Sequence, residues 1–167
     1  MLLDLRALTP GDEVLLWEYL YLALFVPPGG HPFPREVVQE PAIARYVAGW
    51  GRTGDQGLLA TDRASGRDVG AAWLRIWPPG EKGYGFVDHA TPELSMAVRP
   101  HHRGRGIGSR LLERLLADAE RRHPAVSLSV SNANPAIRLY ERCGFEVLVA
   151  TGDSTVMRWP GATFSPT

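Results

Sequence analysis

The chain has 167 residues, 44% of them hydrophobic, which suits one domain of ordinary size with a real core. Lys plus Arg total 18 against 18 Asp plus Glu, and the zero net charge argues against a general polyanion-binding protein. One cysteine excludes an internal disulfide framework, the five histidines show no metal-ligand spacing, and no apolar run reaches membrane length. Asp4 and Arg6 interrupt any signal-peptide core. The expectation is a cytoplasmic protein with no metal, nucleic-acid or membrane partner, organised as one domain over residues 1–160 and a loose tail over 161–167.

Leu2 to Leu8 alternates weakly and reads as an edge strand. Thr9-Pro10-Gly11-Asp12 is a turn, with Asp12 available to cap a helix from Glu13 to about Phe25. Val26 to Pro34 is a Pro- and Gly-rich loop, whose His31-Pro32-Phe33-Pro34 segment is a candidate lid. Pro41 suits the first turn of a second helix to about Ala48, ended by Gly49 and Gly51. Two strands follow, Gln56 to Thr61 and Asp68 to Trp77, joined by a turn over Arg63 to Gly66.

From Glu93 to Val98 the chain alternates again, with Leu94, Met96 and Val98 on one face and Glu93, Ser95 and Ala97 on the other, as in a half-buried strand. The stretch Arg103-Gly104-Arg105-Gly106-Ile107-Gly108-Ser109 then opens onto a helix. Its apolar face carries Ile107, Leu111, Leu112, Leu115, Leu116 and Ala119. A helix start has unpaired N–H groups and the positive end of the macrodipole, so it attracts anions. Glycines let a phosphate approach closely, and Arg103 and Arg105 supply charge-assisted donors. The loop lacks the Gly-Lys-Ser/Thr of nucleotide triphosphatases, and its glycines are spaced GxGxG rather than the GxGxxG of dinucleotide folds.

Arg121, Arg122 and His123 are expected in the last turn of this helix, before Pro124 stops it. Val126, Leu128 and Val130 alternate with serines as a strand, completing a βαβ unit whose two strands should run parallel and adjacent. Asn134 suits an N-cap, Pro135 the first helical position, and Gly144 the residue just past the end. Cys143, beside that end and without a histidine near in sequence, reads as packing rather than as a nucleophile. Val147 to Trp159 reads as two short strands about Thr151-Gly152-Asp153.

Two blocks carry a family resemblance. Arg103-x-x-Gly106-x-Gly108, after a Glu-Leu-Ser strand and before a leucine-rich helix, resembles the acetyl-CoA motif of the GNAT N-acetyltransferases. Asn134-Pro135-Ala136-Ile137-Arg138-Leu139-Tyr140-Glu141-Arg142-Cys143-Gly144-Phe145 resembles that family's second block. In the family's order and spacing, the two cover about half the chain.

The resemblance implies the α/β GNAT fold: a mixed sheet of six to seven strands flanked by about four helices, with parallel strands around 93–98 and 126–131 splaying apart. It implies acetyl-CoA as co-substrate, its pyrophosphate held by Arg103, Gly104, Arg105, Gly106, Ile107, Gly108 and Ser109. Met96, Ala97 and Val98 would pair with the pantetheine arm, Asn134 would hydrogen-bond it, and Tyr140 would donate to the departing thiolate. Glu93 is the candidate base that takes a proton from the attacking amine. Among Trp17, Tyr19, Tyr21, Phe25, Phe33, Tyr46 and Trp50, some would contact the acceptor. Small amine, amino acid, antibiotic and peptide N-terminus all remain open as acceptors, as do longer acyl groups and a homodimer. An acetyl-CoA sensor without efficient catalysis is the alternative function.

Overall fold

The computed structural model describes residues 1–161. In chain order the elements are β1 (Leu3–Ala7), α1 (Glu13–Ala23), α2 (Pro41–Ala44), β2 (Gln56–Asp62), β3 (Asp68–Arg75) and β4 (Glu93–Val98). There follow α3 (Ile107–Ala119), β5 (Val126–Ser131), α4 (Ala136–Arg142), β6 (Glu146–Ala150) and β7 (Ser154–Trp159). The strands form one seven-stranded sheet in the order β1-β2-β3-β4-β5-β7-β6. Every neighbouring pair is antiparallel except β4 and β5, which are parallel, as a βαβ crossover through α3 requires.

A core lies on each face. The leucine stripe of α3 buries Ile107, Leu111, Leu112 and Leu115 against inward side chains of β2, β3 and β4, including Ala72, Leu74 and Leu94. On the opposite face, Leu16, Tyr19 and Leu20 of α1 pack with Val47, Trp73 and Ala97. Strand β4 is therefore covered on both faces. The half-buried strand expected from its alternation is corrected, because its polar face lies under α1 and the Tyr46–Trp77 pair rather than in water.

Three helix boundaries also differ from expectation. Asp12 does not cap α1. It accepts two 2.8 Å bonds from the Arg6 guanidinium and one of 2.7 Å from the Thr9 amide, so its carboxylate is spent on the turn before the helix. Helix α2 ends at Ala44 instead of about Ala48, where side-chain donors draw off its next carbonyls. Arg75 takes Arg45 O and Ala48 O, both at 2.8 Å, and Trp73 Nε1 takes Tyr46 O at 3.0 Å. Helix α3 stops at Ala119, whose carbonyl receives both the Arg122 and the His123 amide at 2.9 Å, so Arg121, Arg122 and His123 lie beyond its last turn. Of the expected tail, residues 162–167 lie outside the described residues.

Candidate functional site

Strands β4 and β5 share a single register pair, Glu93 opposite Ser127, reinforced by the Ser127 amide donating to Pro92 O at 3.0 Å. Beyond it β5 pairs only with β7, so the two parallel strands part toward their C-terminal ends. Backbone groups of alternate residues point the same way along a strand. Since Pro92 O faces β5, Leu94, Met96 and Val98 turn their backbone groups to that side while the odd residues face β3; the Leu94 N–H belongs to the Glu93–Ser127 bridge, which leaves Met96 and Val98 to face the gap. The Arg99 amide, 2.8 Å from Val69 O on the β3 side, agrees with this parity. Ala97 thus departs from its expected role: its backbone turns to Ala71 of β3, and its side chain is buried on the α1 face.

At the open end of the gap the chain turns into α3. Gly104 and Gly106 have φ of 75° and 80°, the left-handed region that side chains rarely adopt, and a Cβ on either would meet open space. Gly106 is the N-cap of α3 and offers no side chain to its first turn. Among the described residues, the amides from Gly104 to Ser109 have no acceptor in the protein. Ile107 is buried and anchors the helix start in the core, while Gly108 packs beside Met96 and Leu139. Arg103 is exposed and donates through Nε to Val98 O at 3.1 Å, and among the described residues its terminal nitrogens have no partner; Arg105 is exposed. The donor set is thus a run of free amides, two guanidiniums and a helix dipole, which fits a pyrophosphate.

Helix α4 faces the same core. Asn134 Oδ1 accepts the Ala136 amide at 2.9 Å, but Pro135 rather than Asn134 is the N-cap of α4, so the expected cap lies one residue too early; among the described residues Asn134 Nδ2 has no partner. Tyr140 is buried, with its ring edge-on to Phe145 at 5.8 Å. Its hydroxyl has no hydrogen-bond partner among the described residues, and burial pushes its pKa up to about 12. Cys143 is half-buried against the core, and burial raises its thiol, which agrees with a packing role.

Glu93 sits where the gap closes, on the α1 face of the sheet, and is only 3% exposed. Tyr46 Oη donates to Oε2 at 2.5 Å and Trp77 Nε1 to Oε1 at 3.0 Å. Burial raises its pKa above the ordinary carboxylate range, opposed by the bonds from Tyr46, Trp77 and the Gly85 main chain. Of its neighbours, the sequence marks Tyr46 only as a candidate acceptor contact and joins none of them to Glu93. Tyr46, Trp77 and the Gly83–Gly85 segment stand 47, 16 and fewer residues away, and no linear spacing joins them. The one available signal was two glycines flanking Tyr84 just before the strand. A Cβ on Gly83 would collide with Glu93 Oε1 and, at 2.6 Å, with Tyr46 Oη.

The amino-terminal aromatics divide. Tyr19, Tyr46 and Trp50 are core residues; Trp17, Tyr21 and Phe25 are half-buried, and Phe33 is 44% exposed. Tyr21 Oη donates to Phe33 O at 2.6 Å, tying the candidate lid to α1.

Comparison with known proteins agrees with this geometry. A family model described as an acetyltransferase (GNAT) domain matches residues 54–147. An L-methionine sulfoximine/L-methionine sulfone acetyltransferase of Pseudomonas paraeruginosa is 37% identical over 92 residues, 54% of this chain and 50% of the relative. The chain thus spans about half the length of the curated relatives it matches. Two solved structures share the fold throughout. One is yncA from Salmonella typhimurium with acetyl-CoA, with a TM-score of 0.67 and 24% identity over 100% of this chain and 98% of that one. The other is a phosphinothricin acetyltransferase from Sinorhizobium meliloti in complex with acetyl-CoA, with a TM-score of 0.66 and 22% identity over 100% and 94%. The family match takes in more than half of the chain, including the parting strands and the glycine loop, and the protein belongs to the GNAT acetyltransferase family.

Proposed function

We propose that this protein is an acetyl-CoA-dependent N-acetyltransferase that moves the acetyl group directly to a primary amine. The observation that carries the reading is the gap between β4 and β5, closed at Glu93–Ser127 and flanked at its open end by the free amides of Gly104 to Ser109. Those amides, with Arg103 and Arg105, bind the pyrophosphate. The Met96 and Val98 backbone groups hydrogen-bond the pantetheine arm, and Asn134 Nδ2 donates to it. A backbone N–H at Met96 or Val98 polarises the thioester carbonyl as negative charge builds on its oxygen.

An amine with a lysine-like pKa of about 10.4 is mostly protonated at neutral pH, so attack needs a base. Glu93 fills that role directly or through one water: the amine nitrogen bonds to the acetyl carbon, the carbon–sulfur bond breaks, and the amine proton passes to the carboxylate. Burial raises its pKa, which makes it a stronger proton acceptor than an ordinary carboxylate. Tyr140 keeps its proton throughout, being near 12 in the free protein, and full transfer to a thiolate of about 8.5 would be uphill. Its part is a hydrogen bond to the departing sulfur, with solvent completing the protonation.

The Pseudomonas relative is named for methionine sulfoximine and methionine sulfone, which puts amino-acid-like amines first in the acceptor panel. The second reading, a sensor that binds acetyl-CoA without efficient transfer, is favoured by one observation: both Glu93 oxygens are engaged and sheltered from solvent. Mass spectrometry of amine panels incubated with protein and acetyl-CoA tests the choice. A product heavier by one acetyl group supports the transferase, and coenzyme binding without product supports the sensor.

A further inference from the structure

We propose that Tyr46 is the positioning residue for Glu93, aiming one carboxylate oxygen and linking its charge to the seating of the Gly83–Gly85 segment; this rests on the reading of Glu93 as the base. The Tyr46 hydroxyl has two partners. It accepts the Tyr84 amide at 2.7 Å and donates to Glu93 Oε2 at 2.5 Å. Because the amide occupies a lone pair, the hydroxyl proton is directed at the carboxylate.

The tyrosine is itself held from three sides. Trp73 Nε1 binds its carbonyl at 3.0 Å, Arg75 binds the preceding carbonyl of Arg45 at 2.8 Å, and its ring stands edge-on to Trp77 at 5.1 Å. The 83–85 segment fits only as glycine at its two flanks. A Cβ on Gly83 would collide with Glu93, Tyr46 and Trp77, and one on Gly85 would lie 2.6 Å from the Leu128 backbone and 3.0 Å from Glu93 Cδ. Ser127 Oγ, 2.7 Å from Gly85 O, clasps the segment from β5.

The charged groups packed about this cluster are already engaged elsewhere. Arg75, opposite Glu93 on β3, is paired with Asp55. Arg52 lies over Trp77 and pairs with Glu81, Lys82 lies over Phe86, and His89 Nδ1 meets Trp77 O at 2.7 Å. The Tyr46 and Trp77 donors, with the Gly85 main chain, favour the charged form of Glu93 against the opposing effect of burial.

The experiment is a side-chain carbon NMR titration of Glu93 in the full chain labelled at glutamate, for wild type and Tyr46→Phe, beside the pH profile of kcat/KM for acetyl transfer. Loss of the hydroxyl should raise the Glu93 midpoint by about one pH unit and move the acid limb of kcat/KM by the same amount, with KM for acetyl-CoA unchanged. An unmoved midpoint overturns the proposal. A moved midpoint with an unmoved acid limb overturns Glu93 as the base instead. In wild type the Tyr84 amide shift should titrate with the Glu93 midpoint and lose that titration in Glu93→Gln. A flat Tyr84 shift in wild type also overturns the linkage, and this arm does not depend on Tyr46→Phe folding.

Discussion

Glu93 and Ser127 stand opposite one another as the single register pair between the parallel strands β4 and β5. The same residue that closes the gap carries the buried carboxylate on the α1 face. In the proposed mechanism the strand divides two functions: Met96 and Val98 would offer backbone to the coenzyme, and Glu93 would offer a side chain to the acceptor.

Coenzyme binding should depend on the left-handed glycine at the head of α3. Gly106→Val places a β-branched residue at φ of 80°, at a strain of about 1–3 kcal/mol, and the loop relaxes away from its donor arrangement. Isothermal titration with coenzyme A should show affinity reduced at least about tenfold, the equivalent of ~1.4 kcal/mol. Unchanged affinity would remove the loop from the site.

Tyr140→Phe deletes a hydroxyl that makes no hydrogen bond among the described residues, so fold stability should hardly change. Turnover should fall by about tenfold, the equivalent of ~1.4 kcal/mol for one hydrogen bond to the departing sulfur, while acetyl-CoA affinity is kept. Steady-state kinetics beside thermal-shift binding checks this, and equal turnover in the two proteins would end the assignment.

The Arg75–Asp55 pair is buried, at 1% and 3% side-chain exposure, and Arg75 also binds two carbonyls after α2. Arg75→Ala strips Asp55 of its bidentate partner, leaving it the Gly51 and Arg52 amides and the Arg52 guanidinium at 3.8 Å, and frees the Arg45 and Ala48 carbonyls. Denaturant unfolding should therefore show a loss of about 3 kcal/mol. Less than 1 kcal/mol would mean that water reaches the pair.

Acid should loosen the amino-terminal turn through Asp12. The hydrogen bonds from Arg6, set against desolvation and helped by Thr9, lower its pKa to about 2. A depressed carboxylate contributes stability fully above its unfolded value of about 3.9, and the contribution fades as pH falls through about 2. The stability difference between wild type and Asp12→Asn should therefore be constant from neutral pH to about 5 and shrink below 4. A difference that persists at pH 2 would contradict the assignment.

How much was legible in advance follows from how local each signal is. The stripe of α3, the glycine loop and Gly144 just past the end of α4 depend on residues within a few positions of one another and stand as read, while the start of α4 falls one residue later than expected, with Pro135 as its N-cap. The short α2 and the burial of Glu93 depend on partners far along the chain: Trp73, Arg75 and Trp77 reach residues 45–48 and 93 only once β3 lies beside β4. Periodicity in β4 showed two faces, but not that α1 would cover the polar one. The parity that turns Ala97 away from the gap follows from one hydrogen bond, Ser127 N to Pro92 O, which no sequence pattern announces.

The most direct measurement is amine-dependent release of free thiol from acetyl-CoA, run with wild type and Glu93→Gln over amino-acid-like and peptide amines. The account predicts release with at least one amine, and loss of most of that rate in the variant with coenzyme binding intact. Tight coenzyme binding with no amine-dependent release across the panel would contradict the transferase and leave the protein as a sensor of acetyl-CoA.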